Sequence, residues 1–179
     1  MTDKGTTRPR RTGEELVAVW EQLLYEIQML FGTARALHTL DSGKSDERRM
    51  WAIRNALTES FSIHAHVLRD FLYLGGSQPD DVLAEDFFDN VATWIERRPE
   101  ESSLLRAIHA RPGEQSPRMP LARFNIAPES REWDIVGVAR DLRAVLRAFL
   151  ALAPGRGISD ESQLYALSIM ADEIPGATE

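Results

Sequence analysis

Residues 45–76 read SDERRMWAIRNALTESFSIHAHVLRDFLYLGG. Both ends of this stretch are punctuated. Ser45 suits an N-cap, and Asp46 and Glu47 set negative charge at the positive end of a helix. Gly75 and Gly76 supply the left-handed conformation that stops one. Between them run about 29 residues without Pro or Gly, roughly 43 Å of helix. Met50, Ile53, Leu57, Phe61, Leu68 and Phe71 gather on one side at helical spacing. Asn55, Glu59, Ser62, His66, Asp70 and Tyr73 form a narrow polar seam opposite.

The two histidines of this stretch therefore part company. His64 falls on the apolar side, where it reads first as a core histidine with one ring nitrogen satisfied and second as the lining of a cleft. His66 falls on the seam, one turn before Asp70 and within reach of an i,i+4 pair. The rings point about 200° apart, so His-Ala-His cannot chelate one metal while helical. The seam of Glu59, His66 and Asp70 reads first as a solvated face, with a polar lining between packed helices as the alternative.

The chain has 179 residues, enough for one domain with a substantial core, and its 43% hydrophobic and 27% charged content is that of a soluble globular protein. It has no cysteine, which excludes disulfides, a thiol nucleophile and zinc–thiolate chemistry, and fits a reducing compartment. No apolar segment at the N-terminus suggests a signal peptide, and no apolar run is long enough to span a membrane. A cytoplasmic protein without membrane contact is expected. The net charge of −7 argues against a mainly electrostatic grip on nucleic acid. Residues 1–11 carry Lys4, Arg8, Arg10 and Arg11 against Asp3 and read as a disordered basic leader.

Working outward, Thr12 and Glu15 form a capping-box signature that opens a first helix. Leu16, Trp20, Leu23, Ile27, Leu30, Ala34 and Leu37 give it a stripe that Val17, Leu24 and Phe31 widen into a core face. Gly32 is a mid-helix penalty that fits close approach of another helix, and His38 suits the C-terminal end of the dipole. Gly43-Lys44-Ser45 looks like the end of a phosphate-binding loop. The motif is rejected, because His38 stands where it needs glycine and a helix precedes it instead of a strand.

Beyond the organising stretch, a third segment is expected from about Asp80 to Arg98, apolar at Val82, Leu83, Phe87, Val91, Trp94 and Ile95. Pro99 is expected at the first position of a short helix holding Leu104, Leu105, Ile108 and His109. Residues 111–128 contain four prolines and read as a long irregular connection. Pro128 or Glu129 opens a last long helix with a stripe of Ile135, Val138, Leu142, Val145, Phe149 and Leu152, closed by Pro154-Gly155. A short amphipathic helix through Leu164, Leu167 and Ile169 follows. No strand pattern or repeat emerges. The expected fold is all-α: a bundle of three long antiparallel helices plus two or three short ones over residues 12–155, with a short C-terminal helix and tail over 156–179.

Metal sites in such bundles use Glu-x-x-His pairs, and the chain has neither these nor His-Glu-x-x-His, so no metal or cofactor is assigned. A serine nucleophile elbow and a dinucleotide loop are absent too. General acid–base work would fall to the histidines.

The run from Asn55 to Phe71, with Glu59-Ser60-Phe61, Ile63-His64-Ala65-His66 and Asp70-Phe71, resembles a signature of uncharacterised bacterial helical proteins similar to the HEPN superfamily. His109, Arg111 and Trp133-Asp134 look like a second block of that pattern. The resemblance implies a helical bundle that dimerises and binds nucleotides or cleaves RNA. Two departures qualify it. His66 stands where the pattern has arginine, and no arginine precedes a histidine at the spacing of the superfamily's ribonuclease motif. The resemblance thus implies the scaffold rather than the nuclease.

Three functional readings follow. The first is a HEPN-like, homodimeric accessory protein associated with RNA or nucleotide. Its catalytic candidates are His64, His109 and Arg111, and its ligand-binding candidates are Arg54, Glu59, His66 and Asp70. An RNA-cutting version would use His64 and His109 as base and acid, with Arg54 or Arg111 clamping phosphate. The second is a non-catalytic interaction or dimerisation module mating with a partner protein or with itself. A metal-dependent hydrolase built on the Glu59 seam ranks last. Convergence of His64, His109 and Arg111 in one cleft would favour the first reading; an exposed apolar strip would favour the second.

Overall fold

Thr12 and Glu15 close the capping box that their spacing predicts. The Thr12 amide donates to Glu15 Oε2 at 2.7 Å and the Glu15 amide donates to Thr12 Oγ1 at 3.2 Å. Helix α1 then runs over Gly13–Asp41. All seven residues of its expected stripe are buried, as is Phe31, whereas Val17 is exposed. Helix α2 covers Glu47–Tyr73. Glu26 of α1 meets His64 of α2, about as many residues before the connection as His64 lies after it, so the two helices form an antiparallel hairpin. The computed structural model describes residues 10–41, 47–74, 80–110, 134–153 and 155–171; the side chains at 41, 47–49, 109 and 110 lie outside that set. The expected caps of α2 at Ser45 and Gly75–Gly76 fall outside the described residues.

The segment expected as one helix from Asp80 to Arg98 is broken. It comprises a single 3₁₀ turn at Ala84–Phe87 and a short helix α3 at Val91–Arg97. Extended backbone at Phe88 ends the turn, and the Asn90 side chain caps α3 by accepting from the Ala92 amide. The break brings the consecutive rings of Phe87 and Phe88 inward together. Both meet Phe149 edge-on, at centroid distances of 5.6 and 5.9 Å. Phe71 and Trp94 complete the ring cluster around Phe149 at 5.4 and 5.6 Å. Edge-to-face pairs of this kind add about 0.5–1.5 kcal/mol each beyond area burial.

Helix α4, Ser103–Ala110, starts later than Pro99 predicts, because Ser102 is its cap: Ser102 Oγ accepts from the Leu105 amide at 3.2 Å. Helix α5, Ile135–Leu152, likewise starts later than Pro128 or Glu129 predicts. Asp134 caps it, accepting from the Gly137 amide at 2.8 Å. Gly137 sits where α4 crosses; a Cβ there would lie 2.8 Å from Leu104 Cδ1. Gly155 and Gly157 follow α5 with positive φ, and the Gly157 backbone lies so close to Leu16 that a Cβ would meet that side chain at 2.7 Å.

Helix α6, Asp160–Ala171, packs on α1 and α5. Of the expected face, Ile169 is buried and Leu167 packs against the core, whereas Leu164 is exposed; Ala166 and Met170 are buried beside them. Ile158, Ala166, Ile169 and Met170 belong to the same core as α1, α2 and α5. The leader's last two residues are held as well. Arg11 donates to the Asp81 carbonyl at 3.0 Å, and Arg10 pairs with Asp89.

Three helix ends are completed by side chains from neighbouring elements, which satisfies carbonyls that a helix leaves orphaned. Arg98 donates to the Leu72 carbonyl of α2, Gln163 to the Leu150 carbonyl of α5 and Arg35 to the Ile169 carbonyl of α6. All the described elements are helical: six α-helices and the 3₁₀ turn. Among the described residues no helix is long and apolar enough to cross a membrane.

Candidate functional site

The candidate residues of α2 divide between two neighbours. On the α1 side, the His64 ring is buried and its Nδ1 lies 2.6 Å from Glu26 Oε2, while Gln22 donates to Glu26 Oε1 at 2.9 Å. The Tyr25 ring meets the imidazole edge-on at 5.8 Å. A carboxylate on Nδ1 fixes the ring's orientation and places its second nitrogen opposite, which is the orienting half of an acid–base arrangement. Among the described residues, no hydroxyl or second ionisable group is hydrogen-bonded to His64 Nε2. His64 is thus the core histidine of the first reading, with Glu26 as the partner that satisfies it. Sequence reasoning missed Glu26, although a carboxylate between Leu23 and Ile27 in a core-facing stripe signals a buried pair.

On the other side, the expected solvated seam is a polar lining at its C-terminal half. His66 is buried, and its Nδ1 donates to the Ser62 carbonyl one turn earlier at 3.0 Å. Beyond it lies a network that the sequence reading did not anticipate. Arg69, itself buried, donates through Nε to Glu101 at 2.7 Å and through Nη1 to Asp70 at 2.8 Å. Burial alone would lower the guanidinium's pKa, but the bonds from Glu101 and Asp70 outweigh it and hold the group above its ordinary value. Tyr73 donates to the Pro99 carbonyl at 3.0 Å beneath the Arg98 guanidinium, 5.1 Å from the ring centre. Burial, with Glu101 nearby, pushes the Tyr73 phenol up to about 12.

This network fastens the end of α2 to the connection before α4, and both of its carboxylates bond Arg69. Glu59 is exposed at the seam's solvent edge, and Asp70 is committed to Arg69. Arg54 is exposed on the N-terminal part of α2. His109 lies near the end of α4 with its side chain outside the described set, and Arg111 falls outside the described residues. The structure brings Glu26 to His64 and Glu101 to Arg69; it does not bring His64 and His66 to a common site. Among the described residues no cluster of His, Asp and Glu could hold a metal ion.

The remaining feature is a surface. Six consecutive residues, Trp51–Ala56, are exposed, so the described elements do not cover the N-terminal part of α2. Further along, Ile63 and Val67 are 49% and 42% exposed, and Ile53 is 43% exposed. The expectation that Ile53 joins the core is therefore corrected. Ile53, Ala56, Ser60, Ile63 and Val67 recur at spacings of three and four, which places them in one row along α2. Tyr25, 49% exposed, borders that row through its contact with His64. Met29, Gly32 and Ala36 extend the Tyr25 flank along α1.

Comparison of the chain with protein-family models, with curated proteins and with solved structures found no match.

Proposed function

We propose that this chain is a non-catalytic helical interaction module whose working surface is the face shared by α1 and α2. We read its scaffold as HEPN-like, with α1, α2 and α5 as the three long antiparallel helices, on the strength of the Asn55–Phe71 motif. One observation carries the functional reading: the exposed row of Ile53, Ile63 and Val67 beside Tyr25. Isolated exposed hydrophobics are ordinary, but a periodic row along one helix, continued on its neighbour, is the pattern of a mating surface.

The test is a photo-cross-linking side chain placed at position 63 and, as a control, at the exposed Arg106 of α4, in the cells that make the protein. Adducts from position 63 alone support the reading. Absence of adducts at 63, or equal yields at both positions, overturns it.

The RNA- or nucleotide-associated reading ranks second; its RNA-cutting version needs an accessible His64, and that imidazole is committed to Glu26.

A further inference from the structure

We infer that the occupant of the α1–α2 face is a basic amphipathic helix of another protein, seated along the hairpin with a carboxylate on each rim. The inference rests on the interaction-module reading above and names the partner's chemistry.

Three observations combine. First, the face is shaped for a helix. Gly32 and Ala36 of α1 run alongside Ala56 and Ser60 of α2 in the antiparallel hairpin, and the larger Tyr25 and Met29 continue alongside Ile63 and Val67. A Cβ at Gly32 would meet nothing within 4 Å among the described residues, so the floor is open there. Small side chains let helix axes approach to about 8 Å, whereas larger ones hold them near 10 Å. A helix laid along this face sits low over the small half and packs its apolar stripe against the large half.

Second, both rims are acidic. Glu21 stands one turn before Tyr25, on the side away from Gln22, whose amide reaches Glu26 toward α2. Glu59 stands one turn before Ile63, on the side of His66 and away from α1. Both carboxylates are exposed, and among the described residues neither forms an ion pair. Glu14, two turns before Glu21 and also exposed, extends the α1 rim.

Third, the spacing of the rims matches one helix. With Glu26 opposite His64, Glu59 lies level with Phe31. Glu21 is therefore about 10 residues, roughly 15 Å, further along the hairpin. Two helical positions about 10 apart differ by about 80° around the axis, the two edges of a single apolar stripe. Bases at those edges meet Glu21 and Glu59 together, whereas an acidic helix would set like charge against like. The net charge of −7 includes a leader with four basic residues against Asp3, so the rest of the chain is more acidic than the total and draws a cationic partner.

Fluorescence anisotropy with two labelled peptides of about 18 residues tests this on the purified full chain. One peptide combines leucine and alanine with lysines about 10 positions apart on the edges of the leucine stripe; the other has glutamate in place of lysine. The lysine peptide is expected to bind at least about 10-fold more tightly than the glutamate peptide. Ile63→Ser with Val67→Ser is expected to weaken the lysine peptide at least about 10-fold. Glu21→Lys with Glu59→Lys is expected to reverse the preference. The same charge change at Glu96 and Glu100, exposed positions off the face, leaves the preference as it is. Each variant is expected to keep the helical circular-dichroism spectrum of the parent chain.

Equal binding of the two peptides, binding of neither, or a preference that the Glu96 and Glu100 changes reverse as readily overturns the inference. The adduct formed from position 63 separates this failure from that of the reading beneath it. An adduct with a second copy of the chain, or with a segment lacking bases, overturns the basic helix and leaves the interaction module standing. If position 63 gives no adduct at all, both fall.

Discussion

Glu26 and His64 show what one residue pair does in this fold. Each side chain is 10% exposed, and the two are joined at 2.6 Å. Replacing His64 by alanine leaves a buried carboxylate whose remaining donor among the described residues is Gln22. The expected loss of about 2–3 kcal/mol is read as a lower urea midpoint with an unchanged slope. Tyr73 gives a prediction with a defined pH window. Its phenol is raised to about 12 in the folded chain, against an ordinary value near 10. The protonated form is thus favoured by folding; the contribution is complete below about pH 10 and is lost between about pH 10 and 12. Tyr73→Phe should lower stability at neutral pH by about 1 kcal/mol through the lost bond to Pro99, yet lose less between pH 10 and 12 than the parent chain. Alkaline urea titrations of both proteins check this. The core position of His64 was legible beforehand, but its partner Glu26 and the bond from Tyr73 to Pro99 were not. Helical spacing gave the direction in which His64 and His66 point, but whether each direction meets solvent or another helix depends on where α1 and α4 dock.

At the scale of the helix, starts were readable where the signal is local. The Thr12–Glu15 box needs only four consecutive residues, and it forms as expected. Thr12→Ala is expected to cost about 1 kcal/mol, measured by chemical denaturation. The donated amide of Thr12 also holds the Glu15 carboxyl below its ordinary value, so the box weakens as pH falls through that range. Starts set by tertiary contact were misplaced. Pro99 is expected to open α4 and Pro128 or Glu129 to open α5, and Ser102 and Asp134 cap them instead. Two glycines make a paired test. Gly137→Ala would push a Cβ into Leu104 and is expected to cost about 1–3 kcal/mol. Gly32→Ala, where a Cβ would meet nothing within 4 Å among the described residues, is expected to gain up to about 1 kcal/mol. The sign of the difference in unfolding midpoint decides each case.

For the molecule as a whole, the core is centred on rings drawn from three separate parts of the chain. Phe149 of α5 touches Phe71 of α2, Phe87 and Phe88 of the broken segment, and Trp94 of α3. Phe149→Ala removes all four contacts, and the expected loss of about 3–5 kcal/mol is a large share of the roughly 5–15 kcal/mol that holds a domain folded. Loss of cooperative thermal unfolding, followed by circular dichroism, is the readout. Arg69 joins a second set of distant segments, tying the end of α2 to Glu101 before α4. The face on α1 and α2 is the complement of this core. Its large side chains, Ile53, Ile63, Val67 and Tyr25, are exposed where the core's are buried.

The sequence by itself determined that this chain is helical, where its two longest helices run and which stripe of α1 is buried. Those features follow from a 3.6-residue period and from caps only a few residues long. The tertiary structure decided which of two apolar rows on α2 is core and which is surface, and that His64 pairs with Glu26. It also broke residues 80–98 around the Phe149 ring. Such outcomes depend on which helix lies beside which, and a period along one helix carries no record of its neighbours.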